Sequence, residues 1–199
     1  LVLSVLRTTA WLACVVYSTI PSFWLMIHPF PVFWRARRRS PYRILIPLWI
    51  AMWIGVGAIT WTWRGIVLYN APWSWFPAAL IFAAGVIIYI QSLRNFGGYQ
   101  LGGVPEVVAG NRQQRLITTG IRSRVRHPVY LGHFCEMLAW NIGSGLAVTY
   151  ALGVFAVITG AIMIRMEDQE LERRFGQQYR AYRDTVPAVL PRLRSQNLA

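Results

Sequence analysis

The chain has 199 residues, of which 55% are hydrophobic and only 14% charged, with ten tryptophans and a mean hydropathy of +0.39. A water-soluble domain carries about 25% charged residues, so lipid is the expected solvent, and the length allows one domain. The net charge of +13 comes from twenty arginines and no lysine. These lie between long apolar runs rather than in one stripe, a pattern that argues against nucleic-acid binding.

The first apolar run, Leu1–Ile27, is interrupted only by Arg7. It is too long and too aromatic for a cleaved signal peptide and no A-x-A site closes it, so a retained helix is expected. His28-Pro29-Phe30-Pro31 reads as a helix stop, because proline lacks the amide donor and disfavours helix before it. Arg35, Arg37, Arg38, Arg39 and Arg43 follow, and then a second run, Ile44–Trp63, of 20 residues. At about 1.5 Å per residue it spans about 30 Å, one hydrocarbon thickness. Trp61 and Trp63 suit an interfacial belt.

Asn70-Ala71-Pro72 marks a turn before the third run, Phe76–Leu93. The stretch from Arg94 to His127 is rich in glycine and arginine and has no run long enough to span, so functional loops are expected there. Tyr130–Ile164 is apolar again but broken by Asn141-Ile142-Gly143-Ser144-Gly145, which predicts two shorter helices in a tight hairpin. Beyond it, Leu171, Phe175, Tyr179, Tyr182 and Val186 recur at helical spacing, predicting one amphipathic helix that leaves the membrane.

The fold expected is all-α: a polytopic membrane bundle of about five transmembrane helices, with a cytosolic pocket formed by the C-terminal half. Residues 1–93 would hold the first three spans and 94–199 the functional region. With five spans, eighteen arginines lie on one side and only Arg7 and Arg64 on the other. Loop arginines mark the cytoplasmic side, which puts the N-terminus outside and the C-terminus in the cytoplasm.

Several chemistries find little support. Gly97-Gly98 and Gly102-Gly103 do not form a dinucleotide fingerprint and read as a turn-rich loop. Cys14 and Cys135 make no pairable framework. His133, Cys135 and Glu136 lack a fourth ligand, so no metal is expected; His133 and Glu136 read instead as a polar pair between helices.

Two strings remain. Arg126-His127-Pro128-Val129-Tyr130-Leu131-Gly132 enters the fourth span with proline at the helix start. Its Arg and His place donors at the membrane surface, where they fit either a carboxylate ligand or an ordinary interfacial anchor. Glu167-Asp168-Gln169-Glu170 follows the fifth span and, with Glu172, holds four of the seven acidic residues. Asp168, Glu170 and Glu172 fit a solvated face paired with Arg173 and Arg174. Glu167, nearest the membrane, is expected to point back toward His127.

Together these strings resemble the isoprenylcysteine carboxyl methyltransferase family, whose superfamily includes phospholipid N-methyltransferases. The resemblance rests on Leu116-Ile117-Thr118-Thr119-Gly120 and Arg126 to Gly132. After the hairpin it continues through Glu167-Asp168, Leu171, Phe175-Gly176, Tyr179, Tyr182, Val186-Pro187 and Pro191. It covers roughly Arg115 to Pro191. It implies an integral membrane methyltransferase using S-adenosylmethionine, with Gln114, Arg115, Leu116, Ile117, Arg126, His127, Pro128, Val129 and Tyr130 lining the cofactor. It also implies Glu167 near a membrane-embedded, lipid-like acceptor.

Three positions depart from the family: Arg122 and Arg124 stand where aromatics are usual, and Met163 where the prenylcysteine enzymes carry arginine. Arg165 is the nearby candidate counter-charge, although about 200° around a helix from Met163. The bilayer is the expected partner and a bacterial inner membrane the expected location. The rival readings are an NADPH-dependent sterol or enone reductase and a non-catalytic protein binding anionic lipid through Arg35–Arg43.

Overall fold

The computed structural model describes residues 2–37, 39–95 and 115–191. The described residues form α1 (Val2–Leu25), α2 (Pro31–Arg35), α3 (Tyr42–Thr60), α4 (Trp75–Asn95), α5 (Pro128–Ser144), α6 (Ala147–Phe175) and α7 (Gln177–Thr185). The only strand-like feature among them is an isolated bridge between Val67 and Leu146. The fold is an all-α polytopic bundle, as the apolar runs predict.

Four segments are long and apolar enough to cross a membrane: Val2–Leu25, Tyr42–Trp63, Pro72–Arg94 and Ala147–Phe175. α5 has 17 residues, about 25 Å at 1.5 Å per residue, yet it runs the height of the bundle. At one end Arg7 of α1 donates to Ser144 O, which closes α5, at 3.1 Å and to Tyr69 O of the α3–α4 loop at 3.2 Å. At the other end His127, which precedes α5, faces Glu167 of α6 at 3.3 Å, and Glu167 faces His28 beyond α1.

The outer faces of these helices are apolar and exposed, as at Ile54, Ile59, Phe76 and Val154. An apolar surface of that extent marks a lipid boundary, and the chain is an integral membrane protein. Inside, Trp11, Cys14, Val15, Met137, Leu146 and Leu152 form the largest core cluster. Indole donors buried in such a setting need acceptors: Trp11 Nε1 reaches Thr60 Oγ1 at 3.0 Å, and Trp49 Nε1 reaches Thr19 Oγ1 at 2.9 Å. α4 and α5 make the most extensive helix pairing. Gly85 permits it, because a Cβ there would meet Gly132 O at 2.8 Å.

Two sequence expectations change. His28-Pro29-Phe30-Pro31 does end α1, but Pro31 also starts α2, where its missing donor is harmless. The amphipathic C-terminal segment is two helices, because Gly176 adopts φ +56° and breaks the chain between α6 and α7. Leu171, Phe175, Tyr179, Tyr182 and Val186 still converge, now across that break and against Leu116.

Candidate active site

The site is built where α5 begins. Pro128 occupies the first turn, leaving His127 as the N-cap. The segment before it is stitched to the chain beyond α7: Arg126 N donates to Pro187 O and His127 N to Ala188 O, both at 2.9 Å. The Arg126 guanidinium strengthens that seam, with Nη1 donating to Val186 O at 2.5 Å and Arg183 O at 3.1 Å. Tyr182 Oη donates to Arg122 O at 2.6 Å, and Arg122 Nη1 to Arg126 O at 2.9 Å.

α6 supplies two carboxylates. Consecutive helical residues project about 100° apart, so Glu167 and Asp168 can approach one imidazole from two sides. His127 Nδ1 lies 3.3 Å from Glu167 Oε2, and His127 Nε2 lies 2.8 Å from Asp168 Oδ1. Asp168 Oδ2 also accepts from Arg126 Nη2 at 2.7 Å, and Tyr179 Oη donates to Asp168 Oδ1. The His127 side chain is only 2% exposed. Burial alone would lower its pKa, but Glu167 and Asp168 outweigh burial and push it up to about 9. His127 is therefore a cation at neutral pH, held between two carboxylates. Burial and the bond to Asp168 push the Tyr179 phenol above its ordinary range.

His28 completes the cluster from the N-terminal half. Its ring stacks on Trp24, with centroids 5.4 Å apart and planes 23° apart. It is 5% exposed, and among the described residues neither ring nitrogen has a hydrogen-bond partner. His28 Nε2 stands 4.0 Å from Glu167 Oε2, itself buried without a hydrogen bond.

The residues named from sequence fall as follows. Arg126, His127, Pro128 and Tyr130 are buried and Val129 half-buried, all around this cluster. Leu116 packs on Tyr179, Tyr182 and Val186; Ile117 is half-buried and Arg115 exposed. Gln114 lies outside the described residues. Glu167 does point toward His127. Arg165 is exposed, two residues and so about 200° from Glu167 on the helix.

Of the solvated-face reading of the acidic string only the pairing of Glu170 with Arg174 is seen, Nε donating at 3.0 Å, and Glu170 is buried rather than solvated. Asp168 belongs to the site, and Glu172 pairs instead with Arg180 and Arg183 of α7. His133 and Glu136 pair along α5 at 3.5 Å, and Glu136 also binds Tyr17 of α1. No group of three metal-ligating side chains assembles among the described residues.

Three residues here escaped the sequence reading: Asp168, Tyr179 and His28. Asp168 carried a usable signal in its adjacency to Glu167. His28 carried another, since it closes an apolar run on the same side of the membrane as His127.

Comparison with known proteins bears on this cluster. The family model described as phospholipid methyltransferase matches residues 73–178, more than half of the chain. The protein-S-isoprenylcysteine O-methyltransferase of Schizosaccharomyces pombe is 33% identical over 117 residues, covering 55% of this chain and 48% of the relative. Its counterpart from Rattus norvegicus is 28% identical over 148 residues, covering 65% and 48%. The methanethiol S-methyltransferase of Crocosphaera subtropica is 25% identical over 182 residues, covering 85% and 65%. The chain thus spans about half the length of the isoprenylcysteine enzymes. No solved structure matches it significantly.

Proposed function

We propose, from its membership of the phospholipid methyltransferase family, to which this chain belongs, that it transfers a methyl group from S-adenosylmethionine to a lipid-like acceptor. The observation that carries this reading is the His28–Glu167–His127–Asp168 cluster. Buried polar atoms are normally satisfied, yet among the described residues neither the two His28 nitrogens nor Glu167 Oε2 has a hydrogen-bond partner. Such atoms fit a site that receives ligands bearing donors and acceptors, as a cofactor and a methyl acceptor bound side by side would.

The assignment of roles follows from chemistry. Arg115, exposed and next in sequence to Leu116, suits the cofactor's carboxylate. Leu116, Ile117 and Tyr130 offer apolar and aromatic surface for its adenine and ribose. Arg126 has its Nη1 and Nη2 donors engaged by the protein, so it holds the pocket wall in shape. His127 orients Glu167, and Glu167 faces the acceptor. When bound, S-adenosylmethionine supplies an electrophilic methyl group on a sulfonium. The chain's contribution is alignment and a site closed to water.

Residues 94–199 form the catalytic region in this reading, with the turn after α1 supplying His28. With α5 as a fifth span, the arginine asymmetry favours a site at the cytoplasmic face of a bacterial inner membrane, where soluble cofactor would arrive from one side and acceptor from the bilayer. Calorimetric titration of the detergent-purified protein with S-adenosylhomocysteine and with NADPH tests the assignment. Binding of the first alone is expected; binding of NADPH alone would replace this reading with the reductase one.

A further inference from the structure

We propose that His28 removes the proton from a thiol acceptor carried on an apolar body, so that the methylation at this site is S-methylation. The inference rests on the methyltransferase reading and narrows its substrate class.

The cluster already pairs its other charges. Glu167 faces protonated His127, and Asp168 is bound by His127, Arg126 and Tyr179. Glu167 is thus a poor proton acceptor, because protonation would leave His127 facing a neutral carboxyl. His28 differs. It is 5% exposed, lies within 4.0 Å of Glu167 and has two ring nitrogens with no hydrogen bond among the described residues. Leaving such a group unsatisfied is costly, and a protic ligand would satisfy it. A proton gained at Nε2 would face the Glu167 carboxylate, which stabilises the imidazolium.

Charge selects among acceptors. Arg122, whose guanidinium also interacts with Glu167, joins Arg126 and His127 to set three cations against two carboxylates. Excess positive charge disfavours an ammonium acceptor and favours ionisation of a thiol. The same positive charge would also attract a carboxylate acceptor, but that acceptor needs no proton acceptor and would leave His28 without a role, and buried Met163 adds no arginine beside it. The step balances as follows: the acceptor sulfur's lone pair forms the bond to the methyl carbon, and the electron pair of the cleaved carbon–sulfur bond stays on the donor sulfur. The thiol proton passes to His28 Nε2.

The test uses the full chain in nanodiscs with octanethiol and an alkyl thiophenol, the second already ionised at neutral pH. General-base assistance is worth about 100-fold or more. His28→Gln should therefore slow methylation of octanethiol by about 100-fold while leaving the thiophenol within about threefold and S-adenosylhomocysteine affinity within about twofold, margins small against that effect. With S-adenosylhomocysteine present, ultraviolet thiolate absorbance of bound octanethiol should appear in the wild type and vanish in the variant. His28→Asn serves if the glutamine variant does not fold. Equal slowing on both thiols with weakened S-adenosylhomocysteine binding would make His28 a cofactor ligand and overturn the proposal. So would undiminished activity on octanethiol, or a wild type that binds S-adenosylhomocysteine but methylates neither thiol. A wild type that fails to bind S-adenosylhomocysteine would instead sink the methyltransferase reading itself.

Discussion

His127 and Asp168, forty-one positions apart in the chain, meet at 2.8 Å through Nε2 and Oδ1. That contact joins the start of α5 to the C-terminal part of α6. Because Asp168 also binds Arg126 and Tyr179, it ties both helices to α7 as well. Three side chains, Arg126, His127 and Tyr179, thus depend on one carboxylate.

Asp168→Asn tests that dependence. The amide keeps the shape but presents its NH₂ to Arg126, whose side chain is 9% exposed. Removing one partner of a buried pair typically costs about 3–5 kcal/mol. The expected result is a thermal unfolding midpoint lowered well beyond that of an exposed control such as Asp184→Asn. An unchanged midpoint would show that the contact contributes no net stability.

The pH dependence follows from His127. Its pKa rises from 6.5 to about 9 on folding, so the folded chain holds the proton more tightly than the unfolded chain. The stability this adds is complete below about pH 6.5 and is lost as pH rises through about 9. Tyr179, with its pKa raised, ionises above that window. Unfolding midpoints measured across it should decline, and His127→Gln should flatten the decline. A wild-type profile as flat as the variant's would place the His127 proton elsewhere.

How much of this was legible in the sequence depends on the range of the interaction. The apolar runs located α1, α3, α4 and the α5–α6 hairpin, because lipid imposes length and composition on each helix separately. Glu167 was legible because its place at the end of a span fixes which loop it meets. The break at Gly176 was not, since Leu171 to Val186 keep helical spacing across it, and only backbone conformation reveals the left-handed φ. His28 was read through its neighbouring prolines, a local signal, whereas its role depends on packing between α1 and α6.

Topology can be read directly. Eighteen arginines against two, with Arg7 bound to the loop carbonyls at the far end, lead the positive-inside rule to predict a cytoplasmic location for the end of α6 and all of α7. A reporter active only in the cytosol, fused after Ala199, should give full signal, and one fused within the Gly65–Asn70 loop should give none. The reverse pattern would invert the site and remove its access to soluble cofactor.

The last prediction concerns the chemistry of the product. Met163 is fully buried, packed with Tyr130 and Ile164 near Trp24 and Leu25. An arginine there would have served an acceptor carboxylate; a thioether cannot, and a carboxylate buried without a counter-charge is costly. Arg165 does not substitute, being exposed and on another side of α6. The product should therefore be base-stable. Radiolabelled S-adenosylmethionine incubated with the protein and membrane extract, followed by mild base, should release little volatile methanol, because thioethers and methylamines survive where methyl esters do not. Glu167→Gln, which keeps shape and removes charge, should lower turnover about tenfold or more, the scale of one interaction worth about 1.4 kcal/mol at the reacting centre. It should change S-adenosylhomocysteine affinity much less, since Glu167 faces the acceptor. Base-labile label as the main product would restore carboxyl methylation and require a counter-charge from an arginine other than those of the cluster.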